Sequence, residues 1–451
     1  MSAMNNMESR FNRVCDLLFR QLLPGEALAI DFSGESSDFL RFNNGKVRQI
    51  GNVYQAAAQI TYFHNGRTIS SAFETTGDDA VDTKLATQLL SVARRESALL
   101  PEDPYQTLPS ATDSSREIFP GSLLDPERIP DEILSPGEAI TQAGADFVGI
   151  YSQGTICRGA ATSAGARHWF ATQTFAVDYS AYLPSGKALK SCYAGREWDS
   201  AEYTQRLSAA IPKLEALTRP DRIITPGGYR AYLAPDAINE FVAFFSWNGL
   251  GERGMREGES SYLALRDGRK RLSPLFRLTQ DFSLGVEPRF NDLGEVAPAK
   301  LTLIEGGKLT STLVSARSAI QYGVPSNAAP AGEELRSATI GAGELDEEEA
   351  LRVLGTGLYV SNLHYLNWSD NDSGRITGMT RFACFWVENG QIVAPIKDMR
   401  FDESIYHVFG DKLLGLTRQR SLIPNTGSYY KRDLGGALLP GILVNDFTFT
   451  L

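Results

Sequence analysis

The apolar and polar positions of the first hundred residues alternate between helical and strand patterns. Residues 8–23 and 79–100 place apolar side chains at the three- and four-residue spacing of an amphipathic helix. Between them, apolar and polar residues alternate on either side of two pairs, Asn44-Gly45 and Asn65-Gly66. Asn-Gly favours a two-residue hairpin turn because both central residues need a positive φ. The pattern therefore predicts two helices and two β-hairpins.

The middle of the chain changes character twice. Residues 101–135 contain six prolines and predict an irregular connection. Residues 136–217 or so predict a strand-rich subdomain, with a short helix, strands around FVGIYSQG and RHWFATQTFAVDYSAYL, and a helix near 200–217. The segment 217–230 then carries two prolines and a Gly-Gly pair, and it is the predicted domain boundary.

The remaining residues predict a helix near 235–247 and two further tight hairpins, at Gly306-Gly307 and Asn389-Gly390. Four such hairpins imply much antiparallel pairing, so we predict an α+β fold. Residues 1–222 form an N-terminal α/β domain with antiparallel hairpins. Residues 223–451 form a C-terminal domain on a large, mainly antiparallel β-sheet with flanking helices.

Composition narrows the classes of function. A chain of 451 residues is too long for one ordinary core, which agrees with two domains. The net charge of −10 and the lack of a basic block argue against nucleic acid as a partner. No signal peptide or membrane-spanning apolar run is visible, so we expect a cytoplasmic protein without a membrane partner. Four cysteines without a CxxC pair fit a reducing compartment: Cys15, Cys157, Cys192 and Cys384.

Two short motifs carry little weight. The stretch GLGERG (249–254) matches the dinucleotide fingerprint GxGxxG, but a predicted helix rather than a strand precedes it, so a loop is the better interpretation. The stretch from Ser428 to Lys431 matches SxxK, but the glycines around it indicate a loop instead of the helical turn that would bring serine and lysine together. Neither motif predicts a site.

The stretch HYLNWSDNDSG (364–374) is the strongest metal candidate because His364, Asp370 and Asp372 are possible ligands. As a calcium loop starting at Asp370, it would place Gly374 at the fifth position and Arg381 at the twelfth, where oxygen ligands are needed. We therefore predict a connection between strands in which Asp and Asn side chains cap their own backbone. A site that recruits remote residues stays open as an alternative.

The four histidines do not form a ligand pair in sequence. His64 precedes a hairpin tip and is expected at the surface. His407 falls in a predicted helix, ESIYHVFGDKLL, where a packed or half-exposed imidazole is expected.

Several segments, read together, resemble the TldD/PmbA family, once called modulators of DNA gyrase. FLRFNNGKVRQIG resembles its N-terminal hairpin, and RGAATSAGARHWF its middle strand pair, although an Asn-Ser usually stands before the glycine there. LSPLFRLTQDFSLG, FNDLGEVAPAKLTLIEGGKLTSTLVSARSA and LPGILVNDFTFTL resemble parts of the C-terminal domain. The most specific segment is ITGMTRFACFWVENGQIVAPIKDMRF, for its pattern of glycine, basic, aromatic and turn residues.

The resemblance carries an expectation about zinc. The TldD branch has the peptidase motif HExxxH on a helix early in the C-terminal domain, where histidines bind the metal and the glutamate can activate its water. The corresponding segment here, PDAINEFVAFFSWNGLG, contains Glu240 but no histidine. The resemblance therefore provides no catalytic residue and no metal ligand for this chain. It matches the PmbA branch, also called TldE, which lacks the motif.

What the resemblance implies is a partner role. The chain would be a non-catalytic subunit that pairs with a TldD-like zinc peptidase and helps to enclose and hold extended peptide or unfolded protein substrates. Zinc is expected in that partner and no cofactor in this chain. The alternative is a homodimeric regulatory protein that binds a protein target without proteolysis. A third hypothesis, an independent hydrolase assembled from residues such as His364 and Asp370, ranks last.

Overall fold

The computed structural model describes residues 2–450, and its first half is built on a seven-stranded sheet with four helices. The strand order is β3-β2-β1-β5-β6, and β4 and β7 both pair with β6. In chain order the elements are α1 (Ser2–Phe19), β1 (Ala27–Asn43), β2 (Lys46–His64), β3 (Arg67–Glu74), α2 (Asp79–Ser97), β4 (Ser114–Phe119), α3 (Ile129–Gln142), β5 (Asp146–Thr162), β6 (Arg167–Tyr182), β7 (Ala188–Gly195) and α4 (Ser200–Leu217).

The second half forms a thirteen-stranded sheet. Its main path is β11-β10-β9-β12-β20-β8-β13-β16-β17, while β18 and β19 also pair with β20, and β14 and β15 join through β18. The elements are β8 (Gly227–Leu233), α5 (Pro235–Val242), α6 (Glu252–Glu257), α7 (Leu263–Arg266), β9 (Leu278–Asp281), β10 (Lys300–Glu305), β11 (Lys308–Leu309), α8 (Ala316–Tyr322), β12 (Ala338–Ile340), α9 (Ala350–Leu354), β13 (Gly357–Val360), β14 (Asn362–Asp370), β15 (Arg375–Arg381), β16 (Phe385–Glu388), β17 (Gln391–Pro395), β18 (Arg400–Ser404), β19 (Leu413–Pro424) and β20 (Gly436–Phe449).

The predicted α+β class is confirmed. The two sheets are mainly antiparallel, with parallel pairing at β4–β6, β12–β20 and β8–β13. The residues between α4 and β8 separate the strands of one sheet from those of the other. The domain limits at 1–222 and 223–451 stay a prediction. No helix within residues 2–450 is both long and apolar enough to cross a membrane.

All four tight turns lie where the sequence predicts them. In the two N-terminal turns, Asn44 and Asn65 adopt φ values of 52° and 49°, and the following glycines are also positive. The pairs at 306–307 and 389–390 adopt the same left-handed conformation. Asparagine and glycine tolerate this conformation at little steric cost, which is why the turns are readable from sequence.

Three predicted elements differ from the structure. The segment 101–135 is not wholly irregular, because β4 lies in it and pairs in parallel with β6, and α3 begins before its end. The prolines in this segment obscure the pattern of β4, a six-residue edge strand whose partner is not close in sequence. The first helix runs from Ser2 to Phe19 instead of 8–23, and the α-helix predicted near 235–247 ends at Val242 and continues as a 3₁₀ turn to Phe245.

Helices cover one face of the first sheet. Phe11 of α1 packs against Phe32 and Trp169 with ring centroids 5.7 Å apart in each case. Farther along the same face, Tyr203 of α4 lies in a core with Tyr179 of β6. The opposite face of the sheet, which we call the inner face, is formed by alternate residues of β1 from Asp31 to Arg41 and their neighbours on β5, β6 and β7.

The second half of the chain covers part of this inner face. A small core joins Ile156 and Phe170 of the first sheet to Phe290 and Leu434 of the second half. Leu434 belongs to the segment 425–435, which connects β19 to β20 and which we call the strap. The strap thus fixes one half of the molecule against the other.

Arg432 is the polar anchor of the strap. Its guanidinium donates hydrogen bonds to the carbonyl oxygens of Gly154 (2.8 Å) and Thr174 (3.0 Å), which belong to β5 and β6. Its backbone N–H donates to the buried carboxylate of Glu35, 3.2 Å away. Burial lowers the pKa of Arg432 to about 10, and Glu35 opposes that effect. The charge is kept in the interior because both terminal nitrogens of the guanidinium have carbonyl acceptors and the Glu35 carboxylate lies nearby.

Replacing Arg432 with Met should loosen the strap. Hydrogen bonds from charged donors contribute about 1.5–3 kcal/mol each, so we expect chymotrypsin to cut at the exposed Tyr429 and Tyr430 at least about tenfold faster. The matched control is Arg418→Met, which removes an exposed arginine. Equal cleavage of the Arg432 variant and the wild-type protein would contradict an anchoring role.

His168 lies at the same contact between the halves. It is fully buried, receives a hydrogen bond at Nδ1 from the Ser115 hydroxyl (2.9 Å), donates from Nε2 to the Gly294 carbonyl (3.1 Å) and stacks on Phe290. Burial lowers the pKa of its imidazole, while Asp113 opposes the shift. The folded protein therefore holds His168 in the neutral form.

Acidification should destabilise this contact. Below pH 6.5 the unfolded chain takes up a proton at His168 that the folded chain resists, so the stability present above pH 6.5 is lost as the pH falls through the lowered pKa. We expect the melting temperature to drop more between pH 7.5 and 5.5 in the wild-type protein than in His168→Gln, although the variant starts lower. His64→Gln is the control. An equal drop in the His168 variant would refute the assignment.

Candidate functional site

Helix α5 lies in the segment PDAINEFVAFFSWNGLG, which by its resemblance corresponds to the zinc-motif helix of the TldD branch. Pro235 starts it, since proline fits the first turn and its missing N–H needs no partner there. Ala237, Ile238 and Phe241 turn into the core of the second half. Because these apolar residues are buried, Asp236 and Glu240, which are one turn apart, lie on the opposite side of the helix.

Asp236 of α5 faces β7 of the first sheet. The Cys192 thiol lies 3.8 Å from Oδ1 of Asp236. Two residues earlier, the Lys190 ammonium pairs with Asp178 of β6 at 2.7 and 2.9 Å. Lys190 is thus paired with Asp178, and its charge also acts on Asp236 and Glu240 of α5 where the two halves meet.

The environment shifts the protonation of this cluster. Burial raises the pKa of Asp236 to about 6, while Lys190 opposes the shift and Asp178 adds to it. Glu240 keeps contact with solvent, yet the surrounding protein raises its pKa too, and Lys190 again opposes. Burial also raises the pKa of the Cys192 thiol well above its usual range, so this sulfur stays protonated. Asp236 therefore changes its protonation near pH 6, well above the usual range of an aspartate.

A cavity of about 940 Å³ opens beside this cluster. Its floor is the part of the inner face that the strap leaves uncovered, and the strap forms one wall. Aromatic, amide and charged side chains line it, among them Phe39, Arg41, Arg48, Asp178, Lys190 and Tyr429. A concave space of this size, with apolar surface and a few convergent polar groups, is the usual form of a ligand site.

One rim of the cavity is a strand edge. β3 pairs with β2 only from Ala57 to His64, so β2 has no neighbouring strand on its outer side from Lys46 to Gln55 within the described residues. Val47, Ile50 and Tyr54 on this stretch are 46%, 55% and 48% exposed. Unpaired backbone groups and exposed apolar side chains together make this edge able to accept an added strand.

The residues of α5 do not fit a zinc ion. Zinc in peptidases is held by imidazole nitrogens and carboxylates, and here the helix presents two carboxyl groups next to an ammonium group and a protonated thiol. Among residues 2–450, no three His, Cys, Asp or Glu side chains are grouped so that they could hold a metal ion. Since the donor set does not fit, no step through zinc follows for this chain.

The three remaining histidines lie in different settings. His64 lies near a hairpin tip, as predicted, and its Nδ1 contacts the Gly25 carbonyl oxygen at 3.0 Å. His364 is exposed on β14. His407 begins a π-helical turn that ends at Asp411, and Nδ1 contacts Glu403 at 3.1 Å. The predicted helix around His407 is therefore shorter than expected, because Leu413 already belongs to β19.

The stretch 364–374 is a hairpin rather than a turn throughout. Residues up to Asp370 belong to β14, and only 371–374 turn into β15. Oδ1 of Asp370 accepts from the backbone N–H of Asp372 at 3.0 Å, and Oδ2 accepts from the Ser373 hydroxyl at 2.6 Å. The predicted capping of its own backbone is confirmed. These hydrogen bonds lower the pKa of Asp370 and occupy the oxygens that a cation would need.

The GxGxxG and SxxK motifs also lack the structure that their chemistry requires. A helical turn, not a strand, leads into Gly249, and α6 after it has only six residues. Ser428 and Lys431 lie in the strap, outside any helix.

Asp178 and Lys190 are not among the residues predicted from the sequence. Each is a charged residue in a strand whose alternate positions are apolar, VDYSAY in β6 and ALKSCYAG in β7. This alternation is the available signal that both side chains lie on the face away from the helices. Nothing local indicates that the face is an internal one.

Asp236→Asn should stabilise the protein at neutral pH. A pKa raised to about 6 means that the folded state disfavours the charged form, so wild-type stability falls as the pH rises from 4 to 6 and stays lower above. The variant avoids that cost, which is on the order of 1–3 kcal/mol at pH 7 and vanishes near pH 4. Urea unfolding at both pH values, with exposed Asp372→Asn as control, measures it. A variant less stable at pH 7 would contradict the prediction.

Comparisons with known proteins agree with the fold. Residues 226–451 match the PmbA/TldA metallopeptidase C-terminal domain. Among solved structures, the fold is similar to TldE from Thermococcus kodakarensis, with 14% identity, a TM-score of 0.75, and coverage of 99% of this chain and 100% of that one. No curated protein matches.

Two further structures share the fold. A proposed modulator of a DNA gyrase from Thermotoga maritima is 15% identical, with a TM-score of 0.76 over 98% of this chain and 100% of that one. A proposed modulator of DNA gyrase from Bacteroides thetaiotaomicron is 12% identical, with a TM-score of 0.73 over 98% of both chains. These identities show a shared fold alone. The family match spans half of the chain, from the start of β8 through α5 to the end, and the chain therefore belongs to the TldD/PmbA family.

Proposed function

We propose that this chain is the TldE-like, non-catalytic subunit of a heteromeric TldD-type zinc metallopeptidase. It walls the cleavage chamber and holds extended peptide substrates, while a TldD-like partner supplies the zinc. The observation that carries the proposal is helix α5, which has no histidine and places Asp236 against Cys192 of β7. Family membership and the TldE-like fold support it.

The charge balance of the cluster supports a role without metal. In a zinc site, a cation compensates the carboxylates and activates water. Here the Lys190 ammonium pairs with Asp178 and acts electrostatically on the acidic residues of α5, so a positive charge is already present. The helix can therefore keep its shape as a chamber wall without binding zinc.

The cavity and the free edge of β2 support the peptide-holding role. A strand that adds to an exposed edge is recognised through its backbone, and its alternate side chains can point into an adjoining cavity. From Lys46 to Gln55 the edge has room for such a strand, and the cavity lies beside it. Recognition of this kind tolerates many sequences, which suits a subunit that presents substrates to a peptidase.

Reconstitution tests the proposal. The purified chain alone should contain far less than one zinc ion per chain and should not cleave an unfolded protein substrate. Adding an HExxxH-bearing family member from the same organism should produce cleavage faster than that partner shows by itself. His364→Ala should leave this partner-dependent cleavage unchanged, since His364 lies exposed on β14.

Two controls separate the proposal from its competitors. A partner with the motif glutamate changed to Gln should give no cleavage in the mixture. Stoichiometric zinc and peptidase activity in the isolated chain would overturn the proposal. If co-purification captures a target protein that is not cleaved and no HExxxH-bearing chain, the homodimeric regulatory alternative is favoured instead.

A further inference from the structure

Two arginines at the cavity lack an ionic or hydrogen-bond partner. Arg41 lies on β1 opposite Gln49 of β2, and a bulge at this point makes Arg48 an extra residue in the strand. Both side chains line the cavity and are exposed to solvent. In the part of the chain that the structure describes, neither guanidinium has an ion pair or a hydrogen bond. A β-bulge commonly re-aims a side chain at a functional position.

The rest of the cavity does not neutralise these two charges. Asp178 is the one acidic residue among the described residues that line it, and Asp178 is already paired with Lys190 at the other end. The arginine end therefore keeps a formal charge of about +2 in a chain whose net charge is −10. This local positive charge is opposite in sign to the charge of the whole molecule. The chain as a whole attracts cations, whereas this end of the cavity attracts anions.

The surroundings of the arginines suit a planar anion on a peptide. Guanidinium groups bind carboxylates through paired N–H donors. Asn43 and Gln49 add amide groups that can bond a peptide backbone, and Phe39 and Tyr429 provide apolar walls. Tyr429 is 90% exposed on the strap, so it can pack against a bound chain at little cost.

We infer that the cavity binds an extended peptide through a carboxylate held by Arg41 and Arg48, with the peptide backbone paired to the free edge of β2. This inference rests on the proposed function for the presence of peptide and adds the chemical class of the preferred substrate. The carboxylate comes either from an acidic side chain or from the peptide C-terminus, since both offer the same group to the arginines.

The test measures the binding of fluorescent peptides of about eight residues to the full-length chain by anisotropy. Four peptides share a neutral sequence and differ in charge. One is amidated, one has a free C-terminal carboxylate, one is amidated with two central glutamates, and one is amidated with two central lysines. We expect the glutamate peptide or the free-carboxylate peptide to bind at least about tenfold more tightly than the neutral amide, and the lysine peptide to bind most weakly.

The double variant Arg41→Gln/Arg48→Gln should remove this preference and leave all four peptides with similar affinity. Both positions are exposed on strands, so circular dichroism and the melting temperature should match the wild-type protein. The matched control is Arg20→Gln/Arg271→Gln, which removes two exposed arginines elsewhere and should keep the preference.

Three outcomes would overturn the inference. These are failure of every peptide to bind, equal binding of the acidic and neutral peptides, and a preference that survives in the Arg41/Arg48 variant. Which of the two carboxylate peptides binds better identifies the source of the carboxylate. Partner-dependent cleavage is a separate measurement, so cleavage without any carboxylate preference would contradict this inference and leave the subunit role intact.

Discussion

The buried guanidinium of Arg432 imposes the constraint on which the arrangement of the two halves depends. A charged group can stay in the interior only where its N–H groups have acceptors, and the strand carbonyls of Gly154 and Thr174 provide two. The strap that carries Arg432 must therefore follow the inner face of the first sheet at one depth and in one register. Phe290 and Leu434 then bury apolar surface beside it. Because the strap covers only part of the inner face, the uncovered part becomes the floor of the large cavity.

Local features of the fold could be predicted from sequence because each depends on a few neighbouring residues. The Asn-Gly turns at 44–45 and 389–390 require a positive φ that asparagine and glycine tolerate. Asp78 and Asp199 cap α2 and α4, and these helices begin where the pattern of apolar residues predicts. The lack of histidine in α5 can likewise be read directly from the sequence.

Contacts between distant residues could not be predicted, and the site consists of such contacts. β4 has no turn that joins it to a neighbour, and its partner β6 lies about fifty residues later, so the six prolines around it dominate the local pattern. Asp178 and Lys190 are readable as strand charges, but only the docking of α5 places them next to Asp236. The bulge that re-aims Arg48 depends on the register of β1 with β2, which a turn fixes only approximately.

The two ends of the cavity differ in a way that bears on how a chamber wall can work without metal. At the α5 end, acidic groups and Lys190 compensate one another, so this end needs no ligand to be stable. At the bulge, Arg41 and Arg48 lack partners, so this end gains electrostatic energy when a carboxylate arrives. A peptide held by its carboxylate at the arginines and paired with the free edge of β2 would run along that strand, while α5 lies across the sheet, beyond β1, β5 and β6, where it contacts β7. Under the proposed function, this difference in charge between the two ends of the cavity would let a subunit without catalytic residues fix the direction in which a substrate lies.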